Sequence, residues 1–191
     1  KQFTDNGYSV CEHYVSSIYD SFDKEYKNEK YMARYQSFIN NGYEIKKLDI
    51  NDFDRTIEEL YHLLTRLYAD FPMYKYISKD DFISTFSGYK QILNTDMVRF
   101  AYYKSDMVGF FISVPDYGNQ VYTLNIFHIL KVLGIKKFPK QYIMLYMGVD
   151  NAHVGLGSAL GQSIITQLQK TGLTAIGALA RDGKITQGYA K

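Results

Sequence analysis

The stretch Tyr142-Ile-Met-Leu-Tyr-Met-Gly-Val149 runs without a charge into Asp150-Asn-Ala-His-Val-Gly-Leu-Gly-Ser158, and a helical pattern follows. A continuous apolar run of this length predicts a strand buried on both faces. Leu160, Ile164, Ile165 and Leu168 then recur at three and four residues, which predicts a helix over Gly157 to Lys170. Gly172 is placed to end that helix in a left-handed cap. Leu173 to Ala180 reads as a second buried strand. Strand, helix and strand together make a parallel crossover, so the fold is mixed α/β.

Working back towards the amino terminus, Met97–Tyr103 and Met107–Val114 flank the polar link Lys104-Ser105-Asp106 and predict a hairpin. Ile57, Leu60, Leu63, Leu64, Leu67 and Tyr68 form an amphipathic helical stripe behind the cap chemistry of Asn51–Asp54. Ser78–Asp81 caps a second helix running towards Leu93, and Gly42–Ile50 reads as a strand. Ile126–Leu133 predicts a short helix, and Gly183–Lys191 the start of another. Residues 1–41 differ from the rest, with a β-prone stretch at Tyr8–Ser16 and a charge-rich stretch at Asp20–Asn40. They read as an N-terminal appendage or the tail of a preceding domain, and residues 42–191 as the domain proper.

Bulk properties remove several function classes. The 191 residues are 46% hydrophobic and 22% charged, which is ordinary globular usage. A net charge of +2 with no basic stripe gives no footprint for nucleic acid. Cys11 is the only cysteine, and His13, His62, His128 and His153 lack metal-ligand spacing, so no metal site is expected. No stretch approaches the roughly 20 apolar residues of a membrane span, so a cytoplasmic chain without membrane contact is the expectation. The 19 tyrosines and 12 phenylalanines must place many rings in partly buried positions.

A glycine turn that opens a helix has a definite chemical use. Amides at a helix N-terminus are unpaired, and the helix dipole favours negative charge there. Glycines let phosphate oxygens approach those amides. Val154, Gly155, Leu156, Gly157, Ser158 and Ala159 offer the N–H groups, and the Ser158 hydroxyl is a further donor. A plain structural turn uses the same glycines, so the pair alone leaves both readings open. The ATPase phosphate loop and the dinucleotide fingerprint are both absent: no Gly-Lys-Ser/Thr closes the turn, and Leu160 stands where a third glycine is needed.

The block from Tyr146 to Leu160 resembles the acyl-CoA motif of the GNAT superfamily of N-acetyltransferases. That motif lies between the family's fourth strand and third helix. It has Gln or Arg, then two residues on Gly, then a further Gly or Ala. Gly155 and Gly157 match its small positions and Val149-Asp150 its strand ending, while Ala152 occupies the Gln or Arg position. The preceding strand, two helices and hairpin follow the family's order, so the resemblance covers about residues 42–191.

The resemblance implies a mixed, centrally parallel and splayed sheet flanked by helices, a GNAT-like acyltransferase fold whose C-terminal hairpin is missing here. It implies acetyl-CoA as acyl donor, with its pantetheine arm along Met147, Gly148 and Val149 and its pyrophosphate on Val154–Ala159. Gly148 would ease the splay of that strand. It also implies a tyrosine on the next helix that protonates the leaving thiolate, a place Tyr189 matches. Asp116 and Asp150 are candidates for the general base, although each also suits a turn. The activity implied is transfer of an acetyl or other acyl group from coenzyme A to a primary amine. The other reading is a non-catalytic acyl-CoA-binding or protein-interaction domain of the same fold. A coenzyme A thioester and an amine acceptor are the expected partners, and a homodimer is left open.

Overall fold

Lys104 and Ser105 both hold positive φ (51° and 71°), the two-residue turn that matches the right-handed twist of a hairpin. This turn joins β3 (Val98–Tyr103) to β4 (Asp106–Pro115) in the centre of the sheet. The computed structural model describes residues 2–10, 13–20, 22, 25–69, 76–118 and 126–181. Besides the hairpin it contains β1 (Tyr14–Tyr19), α1 (Glu29–Asn40), β2 (Tyr43–Lys47), α2 (Phe53–Tyr68) and α3 (Lys79–Ser87). After the hairpin come α4 (Ile126–Lys137), β5 (Gln141–Val149), α5 (Leu156–Thr171) and β6 (Thr174–Arg181).

The six strands lie in the order β1-β6-β5-β4-β3-β2. Only β5 and β6 are parallel, and α5 is their crossover. The remaining pairs are antiparallel. Helices cover both faces. On one, α2 and α3 bury Phe53, Ile57, Leu60, Leu63 and Phe82 against Val98, Phe100 and Phe110. Each fully buried side chain of this size contributes about 1.5–3 kcal/mol, so α2 is anchored by its apolar stripe. On the other face, Leu156, Leu160, Ile164 and Leu168 of α5 pack on Met97, Ala101, Tyr142 and Ala175.

Local signals behave as their chemistry requires. Ser78 accepts a hydrogen bond from the Asp81 N–H at 3.1 Å and starts α3. Gly172 ends α5 at φ 67°, with its N–H on the Leu168 carbonyl at 2.8 Å. The segment expected as an appendage supplies two elements of the layered structure. Antiparallel pairing joins β1 to β6 from Tyr14↔Arg181 to Tyr19↔Ala175. Tyr35 and Phe38 of α1 pack on the α5 side of the core.

Two expectations are corrected. Leu173–Ala180 was expected to be a buried strand, but of residues 173–178 only Ala175 is fully buried. The run Tyr142–Val149 was expected to be buried on both faces, but of its residues only Tyr142 is fully buried. Leu145 and Tyr146 are exposed, because β5 leaves its neighbour there. The start of a helix expected over Gly183–Lys191 lies outside the described residues.

Candidate functional site

Strands β5 and β6 pair only from Gln141↔Thr174 to Met144↔Gly177. Beyond that point β5 continues to Val149 and β6 to Arg181 without pairing to each other. A V-shaped opening results, and among the described residues that edge of β5 has no strand partner beyond Met144, so it can pair with an extended ligand as a strand would.

The parting begins at a bulge. Ile112 of β4 faces Tyr146 while the next residue, Ser113, faces Met144, so Leu145 is the extra residue. Side-chain parity changes across it. Tyr142 and Met144 lie on the α5 side, as do Met147 and Val149, whereas Leu145 and Tyr146 both turn towards α2 and α3. A bulge bends its strand and disrupts the ladder locally, which is what releases β5 from β6.

Gly148 has another task than opening the strand. A Cβ there would stand 2.5 Å from Phe110 Cε1 and 2.9 Å from Leu67 Cδ1. The missing side chain makes room for α2 and the Phe110 ring, and Leu145 is the bulged residue.

At the end of β5 the chain turns into α5. Asp150 Oδ1 accepts the Ala152 N–H at 3.1 Å, and the His153 N–H donates to the Asp150 carbonyl at 2.9 Å. Gly155 takes φ 93°, the left-handed region that disfavours a Cβ, and caps the helix. The Leu156 and Ser158 amides fold back on the His153 and Gly155 carbonyls at 3.1 and 3.0 Å. Those of Val154, Gly155 and Gly157 find no acceptor among the described residues. Three free N–H groups therefore lie within four residues at the positive end of a 16-residue helix.

A cation stands over the same turn. Arg34, from α1, donates Nη1 to Ser158 Oγ at 2.8 Å. Its Cζ and Nη1 lie 3.9 Å from where a Gly155 Cβ would be. Among the described residues Arg34 forms no ion pair, so its charge is not neutralised. Sequence reasoning missed this residue because residues 1–41 were set apart; the available signal was the Tyr31, Tyr35 and Phe38 face of one helical stripe beside it.

Other candidates are engaged in structure. His153 Nδ1 and the Tyr43 hydroxyl share a hydrogen bond of 2.7 Å, and the His153 ring meets those of Tyr43 and Tyr103 edge-on. Burial, then Tyr103, holds the Tyr43 phenol above its ordinary pKa, so it stays a neutral partner. Asp150 also faces Arg66 Nε at 3.7 Å. Asp116 accepts the Gly118 N–H at 2.8 Å in a turn. Lys136, in the last turn of α4, donates to the Gln91 carbonyl at 2.8 Å. Tyr189 lies outside the described residues. Among the described residues no cluster of side chains is suited to a metal, and no helix is long and apolar enough to cross a membrane.

Known structures share this architecture. A GCN5-related glucosamine N-acetyltransferase region of a fungal multi-domain β-N-acetylglucosaminidase has a TM-score of 0.57 at 14% identity, over 99% of this chain and 20% of that one. A C-terminal domain from Agrobacterium fabrum, named as that of a lysylphosphatidylglycerol synthetase, has a TM-score of 0.53 at 13% identity, over 91% of this chain and 48% of that one. The chain thus spans a fifth of the first protein's length and about half of the second's. No family model and no curated protein sequence matches it. The fold is that of the GNAT N-acetyltransferases: a mixed six-stranded sheet, open between β5 and β6 and flanked by helices.

Proposed function

We propose that this chain binds an acyl-coenzyme A in the opening between β5 and β6 and transfers the acyl group to a primary amine. The observation that carries the reading is the continuity of two features. The free edge of β5, residues 145–149, leads directly to the unpaired amides of Val154, Gly155 and Gly157. An extended, amide-bearing arm that ends in a pyrophosphate fits that order of contacts. The likeness to a region named as a glucosamine N-acetyltransferase supports an amine acceptor.

The residues divide the work. Val154, Gly155 and Gly157 donate N–H groups to phosphate oxygens, and Arg34 adds the charge that Ala152 lacks. Met147, Gly148 and Val149 lie along the pantetheine arm. The bound thioester supplies an activated acyl carbonyl. The amine nitrogen forms a bond to that carbon and the carbon–sulfur bond breaks. Tyr189 gives the departing sulfur a proton, and the proton the nitrogen loses passes to solvent, from which Tyr189 is reprotonated. Holding amine and carbonyl together supplies much of the acceleration, as it does in other intramolecular-like reactions.

Acetyl-CoA is expected to raise the melting temperature in proportion to the logarithm of its concentration. Thiol release over a panel of amines then reports turnover, and Tyr189→Phe is expected to lower kcat. Absence of any thermal shift at millimolar coenzyme A overturns the proposal. Protection without thiol release over the panel would leave a binding domain of the same fold.

A further inference from the structure

An apolar cavity of about 190 Å³ lies between the α2–α3 layer and the sheet. Phe53, Ile57, Phe100 and Val114 line it, together with Leu145 and Tyr146 of β5. Among the described residues no charged side chain lines it. Its position follows from the bulge. The extra residue in β5 sends Leu145 and Tyr146 to the same face, and both are solvent-exposed where the strands part. The lining of the cavity and the apex of the opening therefore share Leu145 and Tyr146.

The geometry points to an acyl-chain pocket. We infer that the group this chain carries is a medium acyl chain of about four to six carbons, larger than acetyl. The inference rests on the coenzyme A reading of the opening. A ligand held at Val154–Gly157 and paired along β5 travels from Val149 to Leu145, roughly 13 Å at about 3.3 Å per residue. Its thioester end thereby arrives at Leu145 and Tyr146, which line the cavity. A cavity of about 150 Å³ lined by aliphatic and aromatic groups stays dry and takes up benzene, so 190 Å³ has room for a chain of about six carbons. An empty volume of this size beneath a bulge also has a stability cost, which an acyl chain would offset. The chemistry is unchanged: the amine–acyl bond forms, the carbon–sulfur bond breaks, the amine loses a proton and the thiolate gains one.

The test is a chain-length series on the full chain. Coenzyme A and its acetyl, butanoyl, hexanoyl and palmitoyl thioesters are titrated by calorimetry. Each buried methylene contributes up to about fourfold in affinity. Hexanoyl-CoA is expected to bind at least about tenfold tighter than acetyl-CoA, and palmitoyl-CoA to lose that gain because its chain exceeds the cavity. Val114→Phe, which fills the cavity, is expected to abolish the hexanoyl preference while affinity for coenzyme A itself stays within about twofold. Equal affinity for acetyl- and hexanoyl-CoA in the native chain overturns the pocket and leaves the coenzyme A reading standing. A folded Val114→Phe variant that keeps the preference does the same. Failure of every member of the series, coenzyme A included, overturns the underlying reading. The native-chain series decides the matter if the variant does not fold.

Discussion

Arg34 Nη1 donates a 2.8 Å hydrogen bond to Ser158 Oγ and ties α1 to the first turn of α5 across 124 residues of sequence. Its guanidinium lies 3.9 Å from where a Gly155 Cβ would stand, beside the free amides, so it has one role in tethering and a second in charge. Arg34→Ala separates them. A hydrogen bond to a charged group is worth about 1.5–3 kcal/mol, and exposure of Arg34 reduces this. The expected outcome is about tenfold weaker acetyl-CoA binding with a stability change below about 1 kcal/mol. Arg34→Lys should restore part of the affinity, since it keeps the charge and loses the fork. Ser158→Ala removes the tether and one hydroxyl donor but keeps the Arg34 charge, and should change affinity less than Arg34→Ala. Calorimetric Kd values and urea midpoints check this; an unchanged Kd in Arg34→Ala refutes the charge role.

Two glycines near the site should fail for different reasons. At Gly148 an alanine methyl would meet Phe110 at 2.5 Å and Leu67 at 2.9 Å. Such overpacking costs about 1–3 kcal/mol. At Gly155 a Cβ would make only ordinary van der Waals contacts, with the nearest atoms 3.9 Å away, and the obstacle is φ 93°. Left-handed strain on a residue with a Cβ costs about 1–2 kcal/mol. Phe110→Leu should therefore rescue Gly148→Ala and leave Gly155→Ala unimproved, while Gly155→Asn should be milder than Gly155→Ala. Denaturant unfolding of the six variants is the measurement, and rescue of both glycines by Phe110→Leu would contradict the distinction.

The crossover and the hairpin were legible because each is written locally. Apolar periodicity marks α5, Gly172 marks its end, and a polar link joins β3 to β4. The opening between β5 and β6 was expected from resemblance alone, because splaying depends on a register slip between Ile112 and Ser113 that leaves no local mark. Gly148 misled for the same reason. A glycine in a strand signals either a bend or a close neighbour, and only the packing of Phe110 and Leu67 decides between them. Arg34 was invisible as a site residue because its meaning comes from the contact between α1 and α5, which no spacing within residues 1–41 encodes.

His153 and Tyr43 brace the same turn from the β2 side, so their bond should matter to both stability and binding. Tyr43→Phe removes the hydroxyl that meets His153 Nδ1 at 2.7 Å and leaves the ring stacked on Tyr103. A net loss of about 1 kcal/mol is expected, with a weaker acetyl-CoA response as the Asp150–Gly155 turn loosens. Thermal melts with and without acetyl-CoA measure both. An undiminished ligand-induced shift would show that the turn is held without this bond.

The tyrosines also set an alkaline limit. Burial holds Tyr19, Tyr68, Tyr102 and Tyr142 above the ordinary phenol value, and Tyr117 is pushed up to about 12 by burial and then by Tyr142. In the unfolded chain these phenols ionise near 10. Between the two values the native state binds more protons, so stability falls as pH rises. The contribution is complete below about pH 10 and, for Tyr117, is lost by about pH 12. Tyr117 also donates a 2.6 Å hydrogen bond to the Ile92 carbonyl. Tyr117→Phe should therefore cost about 1 kcal/mol at pH 8. That cost should shrink between pH 10 and 12, because the native phenol no longer outcompetes its unfolded counterpart. Urea unfolding of both proteins at pH 8, 10 and 11 gives the comparison. A penalty that stays constant over that range would mean that Tyr117 ionises alike in both states.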